Sequence, residues 1–157
     1  MNSNVFLKTF ILLVMCGLVS MSLNGQSVSV TELSCEHKIN PIGIDIQKPR
    51  LSWKLVSKNR NTLQSAYELR VANQSTFTKS TLVWESGRVE SDQSVLVEYR
   101  GPTVRSGTRY YWQVRVWDRS GKPSAWSAAA FWETGLLGSG EWKAKWIEPM
   151  QDTTENM

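Results

Sequence analysis

Residues 110–117 read YYWQVRVW, and a period of two divides them into unlike halves. Tyr110, Trp112, Val114 and Val116 fall on one side of an extended chain, and Tyr111, Gln113, Arg115 and Trp117 fall on the other. The first set is large and apolar apart from one phenol hydroxyl, so it predicts a core-facing side. A helix would scatter these residues around its circumference, whereas a half-buried strand sorts them. Tyr110 follows the turn residues Ser106-Gly107-Thr108, and that position predicts a bond from its hydroxyl back to the backbone at a sandwich corner.

Short segments with the same rhythm recur along the chain. Residues 28–33 suit an edge strand, and 50–56 set Leu51, Trp53 and Leu55 against Ser52, Lys54 and Val56. Residues 63–72 point Leu63, Tyr67, Leu69 and Val71 inward, leaving Gln64, Glu68 and Arg70 outward. Residues 82–85, 94–99 and 131–134 add shorter strands. Turn chemistry separates them at Asn40-Pro41, Lys48-Pro49, Ser86-Gly87, Gly101-Pro102, Ser106-Gly107 and Ser120-Gly121-Lys122-Pro123. No segment sustains a helical period. The pattern predicts an all-β fold, a seven-stranded antiparallel β-sandwich rather than a closed barrel.

Residues 1–25 stand apart. Lys8 precedes an apolar run at 9–19 and a small-residue stretch at 20–25, which predicts an export signal cleaved near Gly25 to expose Gln26. Eleven apolar residues span only about half of a bilayer core, so no transmembrane anchor is expected. Cys16 also follows apolar residues, as in a lipoprotein signal, but Met15 stands where a small residue is wanted. The mature chain is therefore expected in the periplasm or outside the cell. Cys35 is then its sole thiol, so no internal disulfide forms and packing alone must hold the domain.

Residues 26–135 carry the sandwich pattern. Residues 136–157 read as a linker and the truncated start of a following β-domain, because Trp142, Trp146 and Ile147 in EWKAKWIEP are costly to leave in water. The formal charge of +4, or +3 once Lys8 is removed, is spread without a basic run, and nucleic acid is not indicated.

The outward side of residues 110–117 admits two readings. Arg115 lies where it can cover Trp117 and Trp126, with Arg70 and Glu68 on a neighbouring strand extending a structural ladder of cations over rings. Alternatively Tyr111, Trp117 and Trp126 form a platform for a sugar or a protein, since exposed rings also stack on flat apolar faces.

Reaction chemistry is thin. His37 is the single histidine and has no G-x-S-x-G or paired Cys/His spacing beside it, which argues against a nucleophilic triad or a metal site. Glu85 with Glu90, or Asp92 with Glu98, offers carboxylate pairs without apolar surroundings to raise one pKa, so solvated charges are expected. GLLGSG at 135–140 lacks a following G-K-[ST], and reads as a linker instead of a phosphate loop. No cofactor is expected.

Several motifs in order resemble a known family. They are Asn40-Pro41-x-Gly43-x-Asp45, Pro49-Arg50-Leu51-Ser52-Trp53, Gln64-Ser65-Ala66-Tyr67, Trp84-x-Ser86-Gly87, Tyr110-Tyr111-Trp112-x-Val114-Arg115-Val116-Trp117-Asp118, and Gly135-Leu136-Leu137 with Trp142-x-Ala144-x-Trp146-Ile147. Over 28–149 the chain resembles the N-terminal region of bacterial α-L-rhamnosidases of glycoside hydrolase family 78. The resemblance implies an immunoglobulin- or fibronectin III-like sandwich, followed by a carbohydrate-binding-like β-domain and an inverting (α/α)₆ catalytic barrel. No catalytic residue of that barrel transfers to a position here. Trp126-Ser127 also resembles one half of the Trp-Ser repeat of cytokine-receptor fibronectin domains, where arginines stack between tryptophans; the second Trp-Ser and the paired cysteines are missing.

The expected function is that of a non-catalytic accessory module of a secreted α-L-rhamnosidase, its partners being the missing downstream domains and rhamnose-containing glycans. The alternative is a free-standing secreted module that binds glycan or protein.

Overall fold

A computed structural model describes residues 28–145 and 147. The expected export signal at 1–25, with Cys16, and Trp146 lie outside the described residues. The elements are all strands: β1 (Ser29–Cys35), β2 (Arg50–Val56), β3 (Gln64–Ala72), β4 (Leu82–Glu85), β5 (Val89–Glu90), β6 (Val97–Glu98), β7 (Arg109–Asp118) and β8 (Ala130–Glu133). They pair antiparallel into two sheets. One runs β1-β2-β6 and the other β4-β3-β7-β8, with β5 also on β3. This is the expected immunoglobulin-like sandwich with one more strand than the seven foreseen, because Val89 and Glu90 add a short pairing to Tyr67 and Ala66.

The core lies between the sheets. Leu33, Leu51, Trp53 and Val97 come from the first, and Leu69, Val71, Trp112, Val114 and Trp132 from the second. Trp53 meets Tyr67 edge to face across the gap at 5.3 Å. Each such large side chain removed from water contributes about 1.5–3 kcal/mol. The alternation of β7 holds as read: Tyr110, Trp112, Val114 and Val116 are all buried. At the corner before β7, the Arg105 backbone N–H donates to the Tyr110 hydroxyl at 2.9 Å, the bond expected of that tyrosine. Gly107 and Gly121 sit at φ +60° and +77°, the left-handed conformations their turns demand.

Two expectations are corrected. Gln64 is buried, and Leu63, placed inward by alternation, lies ahead of β3 and is 47% exposed. The register of β3 on β7 shifts between Gln64 and Ala66, so Ser65 is an extra residue and the parity of everything before it reverses. Gln64 then enters the core side, where its carbonyl accepts from Trp53 Nε1 at 3.0 Å and its amide donates to the Ser91 and Gln93 carbonyls. The strand foreseen at 94–99 shrinks to Val97–Glu98. Leu96 takes φ +54°, and β2 is held there by irregular bonds, Trp53 N–H to the Ser94 carbonyl and Leu96 N–H to Ser52 Oγ.

Candidate functional site

The outer face of the larger sheet is built by register. Glu68 lies opposite Arg115 and Arg70 lies opposite Gln113 on the paired β3 and β7. Arg115 Nε donates to Glu68 Oε2 at 2.7 Å and its Nη2 stands 2.6 Å from the same oxygen. Arg70 donates through Nε and Nη2 to Gln113 Oε1 at 3.0 and 2.6 Å, and Gln113 in turn donates to the Ser127 carbonyl at 2.7 Å. Directly opposed pairs of this kind are the unit by which a sheet holds long side chains in place.

The segment before β8 supplies the next ring. Ser124 and Ser127 each bond twice to β7: their N–H groups donate to the Val116 and Val114 carbonyls, and their hydroxyls accept from the Val116 and Val114 N–H groups at 3.1 Å. Side-chain oxygens thus replace the backbone carbonyls of a regular ladder, and the two-serine grip holds Trp126 between them.

A continuous row results. In order it runs Phe77, Arg70, Trp126, Arg115, Trp117, Arg88, with guanidinium-to-centroid distances of 4.8, 4.1, 4.7, 5.0 and 5.0 Å along it. Each tryptophan carries two guanidinium groups. Trp117 is consequently only 8% exposed, although strand parity puts it on the outer side. Burial lowers the Arg70 pKa, opposed by the neighbouring Glu85 carboxylate, which faces Arg70 from β4. The acids pair along the row, Glu68 on Arg115 and Glu90 on Arg88 at 2.7 Å.

The sequence singled out Arg70, Tyr111, Arg115, Trp117 and Trp126. The structure brings four of them together and leaves Tyr111 apart, packed at 6.1 Å against Phe131, whose ring also lies under Arg109. Phe77 and Arg88 were missed. Both sit in connections, where strand periodicity carries no signal; the Ser86-Gly87 turn was legible, but not that it would aim Arg88 over Trp117.

The other candidates do not assemble. His37 caps a tight turn closed by mutual bonds between Cys35 and Lys38, and is exposed. Glu98 stands 3.8 Å from Lys48, and Asp92 is exposed. Among the described residues no three His, Cys, Asp or Glu side chains converge to hold a metal ion. Burial, aided by Glu36, pushes the Cys35 thiol up to about 12, so it is an inert core residue. A cleft of about 470 Å³ beside Leu55, Leu63, Asp92 and Arg119 borders Gln64, whose amide is already engaged. Among the described residues no helix is long and apolar enough to cross a membrane.

Comparison with known proteins adds the family. Residues 30–138 match the model described as the Rha78A-like, N-terminal immunoglobulin domain. The α-L-rhamnosidase of Streptomyces avermitilis is 47% identical over 130 residues, covering 83% of this chain and 13% of that protein. An α-L-rhamnosidase of Formosa agariphila is 40% identical over 119 residues, covering 74% and 12%. Among solved structures, the Streptomyces avermitilis α-L-rhamnosidase complexed with L-rhamnose superposes with a TM-score of 0.74 at 49% identity, over 77% of this chain and 12% of that one. The α-L-rhamnosidase from Dictyoglumus thermophilum gives 0.69 at 36% identity, over 76% and 14%. The chain thus spans about one eighth of the length of the curated relatives named here.

Proposed function

The chain belongs to the family of Rha78A-like N-terminal immunoglobulin domains, and on that basis we propose that it serves as the non-catalytic amino-terminal module of an exported α-L-rhamnosidase. One observation carries the reading. The match takes in nearly the whole sandwich and only 12–13% of the rhamnosidases that contain it, so the hydrolysis of terminal α-L-rhamnosides belongs to the remainder of such an enzyme.

The site geometry supports a scaffold. The rings of Trp117 and Trp126 are each already engaged by two guanidinium groups, and Trp117 is buried, which leaves little free ring for a sugar to stack on. We assign the row a structural role and the segment 136–157 the part of a linker and the beginning of a following β-domain. The leader at 1–25 supplies export to the periplasm or beyond.

Domain replacement tests the proposal. The matching region of the Streptomyces avermitilis enzyme is exchanged for residues 28–138 of this chain, and separately for an unrelated fibronectin domain. Hydrolysis of a nitrophenyl α-L-rhamnoside is expected from the first chimera and not the second, and none from this chain alone. Turnover that stays with the homogeneous chain through purification overturns the proposal, as does equal activity from both chimeras.

A further inference from the structure

Several of the apolar side chains left in water lie in or beside the connection between β1 and β2. Ile42 is 68% exposed and Ile46 39%, while Leu136, just past β8, is 47% exposed. Backbone bonds put them together. Residues 40–44 run along the outer edge of β8: Phe131 N–H donates to Asn40 Oδ1, Glu133 N–H to the Pro41 carbonyl, Ile44 N–H to the Glu133 carbonyl, and Gly135 N–H to the Ile44 carbonyl, all at 2.8–2.9 Å. Gly135 passes so close that a side-chain carbon on it would touch Gly43 at 3.4 Å. A recess of about 220 Å³ there is lined by Pro41, Ile42, Ile44 and Ile46 together with the charged Glu36, Lys38 and Asp45. Apolar residues set among charged ones are the composition of a recognition surface.

The exit path of the chain is fixed against this surface. Gly107 N–H donates to the Gly135 carbonyl at 3.1 Å, Leu137 N–H donates to Ser106 Oγ at 3.0 Å, and the Leu137 side chain packs on the core. Residues 136 and 137 therefore leave the sandwich next to the 40–44 strip, and Trp142, a few residues on, is 62% exposed. A unit joined through this anchored segment meets the patch at raised effective concentration.

Resting on the rhamnosidase reading above, we propose that Ile42, Ile46 and Leu136 form the seat on which the unit that continues the chain docks, through an apolar side of its own, with Trp142 in the seam. The edge of β8 is already bonded to residues 40–44, so the contact is made by side chains into the recess and adds no strand to the sheet.

Cysteine protection tests it. Ile42→Cys and Ile46→Cys are made in a Cys16→Ser background, in this chain and in a chimera that joins it to the rest of the Streptomyces avermitilis enzyme. Val56→Cys, half-exposed at the far end of β2, is the control. Maleimide labelling at 42 and 46 is expected to slow by about tenfold or more in the chimera while labelling at 56 is unchanged. Equal labelling in an active chimera overturns the docking seat and leaves the rhamnosidase reading intact. Protection already present in the isolated chain that grows with concentration assigns the seat to a second copy and also overturns it.

Discussion

Arg115 lies between two indole rings, 5.0 Å from the centroid of Trp117 and 4.7 Å from that of Trp126, while its Nη2 is held 2.6 Å from Glu68 Oε2. The carboxylate fixes the plane of the guanidinium and the rings accept its faces, so charge, plane and position are all specified. Arg115→Ala removes both stacking contacts and leaves Glu68 without its cation. Destabilisation of about 1–2 kcal/mol is expected, together with a red shift of tryptophan emission as Trp117 becomes wet. Arg115→Lys restores the charge but not the plane, and is expected to recover less than half of the loss. Full recovery by lysine, measured by thermal unfolding, would show that charge alone matters.

The same stacking sets what the outer face does with sugars. With two guanidinium groups on each of Trp117 and Trp126, titration with rhamnose-containing oligosaccharides to millimolar concentration is expected to leave tryptophan fluorescence unchanged. A saturable change that is abolished by Trp126→Ala would instead make the row a glycan platform.

Tyr110 and Tyr99 are both buried in the core, yet their hydroxyls differ. The Tyr110 oxygen accepts from the Arg105 N–H at 2.9 Å, whereas the buried Tyr99 hydroxyl has no hydrogen-bond partner among the described residues and its pKa is pushed up to about 12 by burial and by the nearby Tyr110. Tyr110→Phe strands a backbone donor and is expected to cost about 1–3 kcal/mol, while Tyr99→Phe sheds an unpaired polar group and is expected to be neutral or stabilising. Parallel melting curves separate them. Equal losses for both variants would refute the distinction.

How much of this was legible depended on where each residue sits. The faces of β7 followed from alternation because Tyr110 to Trp117 is an unbroken run of the regular strand. Arg70, Arg115 and Trp117 could be gathered on one face for the same reason, whereas Trp126 lies in the connection before β8, where only its Trp-Ser pair marked it. Gln64 was misplaced because the extra residue at Ser65 is a property of pairing with β7, and a single strand read alone has no register. Phe77 and Arg88 joined the row from connections whose course is fixed by tertiary contacts. The strip at 40–44 was marked as a turn at Asn40-Pro41 and as a motif through Asp45; its role as the cover of β8 comes from bonds to residues some ninety positions away, such as Asn40 to Phe131. Local chemistry thus announced the strands and turns, and long-range pairing decided which side chains met.

Glu36 links the β1 to β2 connection to the start of β2, and its titration should be visible in stability. Its carboxylate accepts from the Arg50 backbone N–H at 2.7 Å and from the Arg50 guanidinium at 2.6–3.2 Å. The guanidinium hydrogen bonds hold its pKa below the ordinary carboxylate range, against the opposing effect of burial, with the Arg50 N–H, the Arg50 charge and His37 adding to the lowering. A folded pKa below the unfolded one means that the unfolded chain takes up the proton first as pH falls. The stabilisation is therefore fully present above the unfolded value of about 4.3 and is lost as pH drops through the folded value. Glu36→Gln keeps the shape and removes the charge. The melting temperature of the variant is expected to lie below that of the parent by a constant margin between pH 7 and about 5.5, with the margin shrinking below about pH 4.5. A margin that persists unchanged to pH 3, or widens on acidification, would show that the pair contributes nothing through its charge.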